Sequence, residues 1–450
     1  MANRFLQRLS YSAPLLPLAM VQAPALSLLP SIYARTSGVD IALLGTILFA
    51  TRLFDAVIDP TIGYLSDGTR SRFGARKPWI VLGAIVVSIG CWFWFSPPTS
   101  NGALWFLVWS LVVYLGWSLL EVPHSAWLAD LTDDYDERSR LSGWRASAMI
   151  GGTLVFFAIP LLPIFSTTAV NGDTLPVIAG TAIALLLLTT VFSVGVTRQG
   201  RPRAMDEADR NPLKVLKAVW GNRPFRVLFA SLLLGQVASG MVGALYVFYM
   251  DAYLHIADKV AFVAIGVSII SLISTQIWPL IMTKVGKHGA LAIGAFGTAA
   301  TLVVMAFLRP GPMAFPAMLG VFGLSSITAA SITVAMYALM ADVVDYDELR
   351  TGRNNAASYF SLATLINKIG IAVGGGVSLL IAGVFGFDIK GGNEGVAMAG
   401  FFTAFIVIPI VLNLTSVGLA LRFPLTRRRQ DVVSRRLAIR RARALRSAPS

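Results

Sequence analysis

The chain has 450 residues, of which 56% are hydrophobic and 13% charged, against about 25% charged in a soluble domain, so a water-soluble surface is excluded. Apolar stretches near the ~20 residues that cross a bilayer recur from end to end without the alternation of barrel strands, and they predict an all-α polytopic membrane protein. The net charge of +14 is spread over short basic connections between apolar runs, which points to membrane lipids and away from nucleic acid as a partner.

The N-terminal MANRFLQRLSYS begins like a signal peptide but lacks a cleavage site and runs into a longer apolar span, so it reads as an uncleaved first helix. Twelve spans are predicted, centred near Ala23, Thr51, Val87, Val113, Val155, Leu185, Gln236, Ile270, Ala299, Ala329, Ile371 and Ile408. They divide into a six-helix bundle over 1–197, a polar middle loop over 198–222, a second six-helix bundle over 223–422 and a basic tail over 423–450. Arg70, Arg72, Arg76 and Lys77, then Arg198, Arg201 and Arg203, then Lys284 and Lys287, alternate with connections poor in Lys and Arg such as SPPTSNG (96–102). The positive-inside rule puts both termini in the cytoplasm and the chain in the plasma (bacterial inner) membrane. The single cysteine, Cys91, can form no intramolecular disulfide and reads as a core filler.

The second span and its loop read RLFDAVIDPTIGYLSDGTRSRFGARKPW (52–79). Asp55 and Asp59 are spaced i, i+4, with Arg52 one turn earlier on the same face. Each charge costs about 2.5–3.5 kcal/mol at the centre of a span, so the three must face the bundle interior or a water-filled path. Arg52 pairing with Asp55 would lock helices together but leave Asp59 unexplained. Two carboxylates for one guanidinium leave a negative charge that a cation or proton can remove.

Ser118, Glu121 and His124 lie on one stripe of the fourth span. Glu121 with Arg145 reads as an anchor for a polar solute or as a structural pair, and His124 as a proton relay or a satisfied polar group. LADLTDDYDERSR (128–140) matches LMADVVDYDELR (339–350), with Asp130 and Asp342 separated by 342 − 130 = 212 residues. Matching places after the fourth span of each half predict a parallel duplication, hence two pseudo-symmetric bundles with a site between them. Arg52, Asp67, Asp130, Arg138, Asp342 and Arg350 are the expected gating latches. Lys368, mid-span, would neutralise the second-span carboxylates or form a fixed ion pair. Trp79, Trp92, Trp105 and Trp278 read as interface anchors, and the tail RRRQDVVSRRLAIRRARALR (427–446) as a basic amphipathic helix on anionic headgroups. No phosphate-binding loop, metal cluster or nucleophile–base pair is present in the sequence, so an enzyme and a cofactor are not expected and energy would come from an ion gradient.

The pattern R-x-x-D-x-x-x-D-P followed by G-x-x-x-D-x-T-R-S-R-x-G-x-x-K-P, together with RLSY (8–11), EVP (121–123), the Arg145 region, ADVVDYDE (341–348) and Lys368 in INKIG, resembles the glycoside–pentoside–hexuronide:cation symporters of the major facilitator superfamily. The resemblance implies the twelve-helix major facilitator fold. It implies a cation site at Asp55 and Asp59 with the hydroxyl of Ser118; if sodium is the coupling ion, the two aspartates are its metal ligands. Ile58 stands where the family has a polar amide, which removes an oxygen ligand and inclines the coupling ion from Na+ toward H+. It implies a sugar site at Glu121 and Arg145. Ala19 replaces the family's helix-1 acid and Ser125 its stacking tryptophan, and Gln22 is the nearby residue able to supply a hydrogen bond. The expected function is a secondary-active, monomeric symporter importing a small polar solute, a sugar or glycoside. The alternatives are a carrier of an amphipathic solute such as a lysolipid and a non-transporting receptor.

Overall fold

The structure, a computed structural model, describes residues 2–132, 135–199, 220–351, 356–389 and 393–425, with parts of 429–439. The first half comprises α1 (Ala2–Ser12), α2 (Leu15–Gln22), α3 (Leu28–Thr36), α4 (Ile41–Gly68), α5 (Lys77–Trp94), α6 (Gly102–Leu131), α7 (Tyr135–Ala158) and α8 (Thr174–Val196). The second comprises α9 (Arg223–Phe248), α10 (Val260–Ala306), α11 (Ala314–Thr351), α12 (Ala356–Val384), α13 (Gly395–Phe402) and α14 (Ile408–Leu421). Residues 200–219 of the expected middle loop lie outside the described residues.

Ten helical segments among the described residues are long and apolar enough to cross a bilayer, against twelve expected from hydropathy. One difference is the first span, which is broken into α2 and α3, of 8 and 9 residues, around its expected centre. Pro24 has no N–H to continue the helical ladder there. The other is α10, whose 47 residues would extend ~70 Å if straight, about twice a bilayer. It is not straight: Gly286 takes φ 76° and ψ 163°, outside the helical region. The Ser326 hydroxyl donates to Val267 O at 3.2 Å, and Thr328 Oγ1 lies 3.0 Å from Thr298 Oγ1. Positions 267 and 298 therefore flank the same turn of α11, which requires the chain to double back at Gly286. The two expected spans near Ile270 and Ala299 are the two arms.

The duplication is visible as repeated chemistry. Arg76 Nε donates to Asp130 Oδ2 at 3.1 Å in the first half, and Lys287 Nζ donates to Asp342 Oδ1 at 2.7 Å in the second. The aspartates are offset by 342 − 130 = 212 residues and the cations by 287 − 76 = 211. Each ties a basic connection to the end of the following fourth helix.

The halves meet along α4 and α12. Gly383 packs on Ala42, Gly376 on Phe49, and Lys368 bonds Asp59, so the two helices run antiparallel. Small residues permit this close approach: a Cβ on Gly376 would sit 2.8 Å from that of Phe49. At the end away from the basic connections, Arg35 pairs with Asp251 at 2.6 Å and Thr168 donates to Asp258 O at 2.6 Å, both across the halves. The zip thus runs from that end to mid-depth. Large apolar side chains such as Val57, Leu188, Val191 and Leu280 are exposed around the outside, where lipid would cover them.

Two peripheral expectations change. Trp278 is buried, with its indole N–H donating to Ile327 O at 2.7 Å, so it ties α10 to α11 and does not sit in an interface belt. In the described part of the tail, Val433 and Leu437 are buried and Gln430 Nε2 donates to Asp345 Oδ2. Val433 and Leu437 are turned into the protein while Val432 and Ile439 are exposed, so headgroups are not the tail's only neighbour.

Candidate functional site

Two helices supply the mid-span acids of the first half. In α4, Pro60 follows Asp59; in α6, Pro123 stands two residues after Glu121. Each proline removes a helical hydrogen bond beside the acid, a break tolerated in a span where neighbouring groups re-satisfy the backbone.

Asp55 is buried. Its Oδ1 accepts from Ser118 Oγ at 2.9 Å, and its Oδ2 lies 3.9 Å from Arg52 Nη1. The Arg52 guanidinium also sits over the Tyr114 ring, 4.4 Å from its centroid, a cation–π contact that holds it beside the carboxylate. Lys368, from the opposite half, donates to Asp59 Oδ2 at 2.6 Å and stands 4.0 Å from Glu121 Oε2. The surplus negative charge inferred from the second span alone is therefore neutralised from across the interface. Asp59 Oδ1 and the Tyr114 hydroxyl are buried and have no hydrogen-bond partner among the described residues. Such groups call for a water or an ion.

Four of the five N–H groups of Arg145 have partners among the described residues. Its Nη2 donates to Glu121 Oε1 at 3.1 Å and to Ser125 Oγ at 2.8 Å, and its Nη1 donates to Tyr11 OH at 2.9 Å and to His124 Nδ1 at 2.9 Å. Ser125 in turn donates to Glu121 Oε1 at 2.8 Å. Because an arginine can only donate, His124 Nδ1 must accept, so the proton sits on Nε2, which donates to Tyr11 O at 2.7 Å. A neutral histidine bonded at both nitrogens and stacked on Tyr11, with ring centroids 4.4 Å apart, is an orienting group; the relay expected of it has no open nitrogen here.

The structure thus gathers Arg52, Asp55, Asp59, Ser118, Glu121, Arg145 and Lys368 into one chain of charges spanning the interface. It leaves Gln22 outside: that side chain is exposed at the end of α2 and makes no hydrogen bond among the described residues. Ala19 is buried against Gly152 of α7, where an added Cβ would lie 3.0 Å from that of Ala19, so the helix-1 acid of the family is replaced by close packing. The expected latches stay within their own halves. Arg76 meets Asp67 at 2.5 Å as well as Asp130; Arg350 meets Asp347 at 3.2 Å and donates to Gly221 O at 2.8 Å. The side chain of Arg138 lies outside the described residues. Tyr11 and Tyr114 were missed as site residues. The only signal for Tyr11 was its place in RLSY; Tyr114 stands one turn before Ser118 on the same helix face.

The sequence profile described as MFS/sugar transport protein matches residues 10–427. The chain belongs to that family of transporters. It is similar to the isoprimeverose transporter of Lactiplantibacillus pentosus, to which it is 24% identical over 86% of this chain and 82% of that protein. The glucuronide carrier protein homolog of Escherichia coli (strain K12) is 24% identical over 88% and 87%. The crystal structure of a D-xylose-proton symporter superposes with a TM-score of 0.69 at 15% identity, covering 93% of this chain and 97% of that one, and this likeness establishes the shared fold. The expected resemblance to the glycoside–pentoside–hexuronide:cation symporters is in line with these relatives.

Proposed function

We propose that this protein is a cation-coupled symporter that carries a sugar or glycoside across the bacterial inner membrane by alternating access, with its basic connections and both termini in the cytoplasm. One observation carries the reading: Lys368 of one half is shared between Asp59, on the ion side of the cluster, and Glu121, on the solute side. A proton or sodium ion arriving at Asp59 takes over the charge that Lys368 balances. Lys368 is then released from Asp59 toward the solute, and its mid-depth link to α4 is cut. Each ligand therefore favours the other, which is what coupling requires. Asp55, Asp59 and Ser118 hold the ion, with the unpartnered Asp59 Oδ1 and Tyr114 hydroxyl turned to the same task. Ile58 favours H+, since a proton needs one carboxylate oxygen where sodium needs several. Glu121 and Arg145 accept and donate to solute hydroxyls, held in place by Tyr11, Ser125 and His124.

The zip from the Arg35–Asp251 end to Asp59 supports an inward-facing state in this orientation, and the latches at the basic end would re-pair when that end closes. Ser125, which stands in place of the family's stacking tryptophan, bonds Glu121 and Arg145 and so enriches the polar cluster, which favours a sugar over a lysolipid. The test is purified protein in proteoliposomes with imposed proton and sodium gradients. A glycoside accumulated only with a gradient supports the proposal. Flux of lysolipid alone, or no flux under any gradient, overturns it in favour of an amphipathic carrier or a receptor.

A further inference from the structure

Helices α9, α10, α11, α12 and α14 enclose a cavity of about 550 Å³ within the second half, in the ~300–1,000 Å³ range of small-molecule sites. No residue lining it carries a charge. Its polar wall includes Gln236, Ser239, Thr298, Asn367 and Asn413. Asn367 is the neighbour of Lys368, and successive helical residues point ~100° apart, so α12 presents its ammonium to the charged cluster and its amide to this uncharged cavity.

Gln236 Nε2 donates to Asn367 Oδ1, joining α9 to α12. Glycine makes the approach possible: a Cβ on Gly240 or Gly374 would run into the backbone of the facing helix. This is the only side-chain bond of either amide among the described residues. Whichever way round the two amides are set, the pair keeps one acceptor edge and one donor edge for the cavity. A hydroxyl, both donor and acceptor, satisfies such a pair. A carboxylate or phosphate can only accept, and no cation in this wall would offset its lost hydration.

Resting on the sugar-symport reading, we infer that this cavity is the uncharged half of the solute site and that Gln236 and Asn367 read the hydroxyls of a neutral glycoside. The far end of the solute is a polyhydroxylated ring without an acid group. A relative named for glucuronide makes the distinction a real choice within the family.

The test uses full-length protein in proteoliposomes, with uptake and binding measured for matched pairs of sugars: xylosides and glucosides against the corresponding glucuronides. Wild type should take the neutral member, with the uronide at least about tenfold weaker. Gln236→Leu and Asn367→Leu should each raise KM about tenfold with Vmax little changed, the loss expected for one or two hydrogen bonds. Should either variant fail to fold, Gln236→Asn and Asn367→Ser carry the same expectation, and the melting temperature without solute reports folding. Unchanged KM in folded variants, or preference for the uronide, overturns the inference while the symport reading stands. Failure of wild type to bind any sugar overturns both.

Discussion

The two halves repeat one helical plan and bury opposite chemistry. At mid-depth the first carries Asp55, Asp59 and Glu121 against Arg52 and Arg145, so its own balance is −3 + 2 = −1. The second contributes Lys368 and otherwise a wall of amides and hydroxyls. The buried charge therefore closes only while the halves touch at Lys368. Moving them apart there leaves one uncompensated carboxylate in the membrane, at about 2.5–3.5 kcal/mol, unless a cation takes the place of the ammonium. On the proposed reading this asymmetry makes the ion a condition of the movement, which a symmetric pair of neutral bundles would not do.

The largest effect that can break this comparison is loss of the carboxylate itself. Asp59→Cys should abolish accumulation of solute against its gradient while leaving downhill exchange, because the ion is no longer needed to release Lys368. Uphill uptake at the wild-type level in that variant would end the coupling scheme. Lys368→Ala comes next. It strands Asp59, whose side chain is only 19% exposed, and removing one partner of such a pair costs about 3 kcal/mol. The melting temperature should drop, and the double variant Asp59→Asn with Lys368→Met should regain it without regaining accumulation. A double variant no more stable than the single one would mean that the pair is not what balances Asp59.

A smaller effect sharpens the solute side. Tyr11→Phe leaves an Arg145 N–H unpaired and takes one donor from the His124 carbonyl, a loss of about 1–2 kcal/mol. Because Arg145 is released from one of its supports, solute KM should rise severalfold with expression and ion dependence kept. If KM is unmoved, Tyr11 serves packing alone.

How much of this was legible follows from what hydropathy registers. Apolar length revealed the spans, including both arms of α10, since Lys284 and Lys287 interrupt the run where Gly286 turns it. Intramembrane charge marked Asp55, Asp59, Glu121, Arg145 and Lys368, because ionised groups are costly enough there to demand a reason. The break in the first span was hidden: Pro24 was in view, but an apolar run scores alike whether its helix is continuous or not. Gln236 and Asn367 were hidden too. A neutral amide in a span is satisfied by a hydrogen bond to any neighbouring helix, and the partners here are 131 residues apart. The excess charge of the second span belongs to its own half, and its counter-charge is the mid-span Lys368 of the other half.

The smallest prediction concerns how each half holds its first helix. In the first, Arg8 donates to both carboxylate oxygens of Glu137, at 2.8 and 2.6 Å. In the second, the start of α9 is held by a neutral bond, Asn222 Nδ2 to Tyr359 OH at 2.9 Å. The Asn222–Tyr359 bond carries no charge itself, although Tyr359 also meets Asp347, so the first clasp is the one that acid reaches directly. The Arg8 guanidinium holds the Glu137 carboxyl below the ordinary glutamate range. A carboxylate shifted down on folding contributes stability that is complete above the unfolded pKa and fades as pH falls through the lowered folded value. The gap in melting temperature between wild type and Glu137→Gln should therefore be widest near neutrality and shrink below about pH 4, and it should be smaller throughout than the loss in Lys368→Ala because the pair is partly exposed. The gap between wild type and Asn222→Ala should change less over the same range. A Glu137→Gln gap that changes as little would mean that the ion pair adds nothing to the packing of α1, and the contrast between a charged and a neutral clasp would be lost.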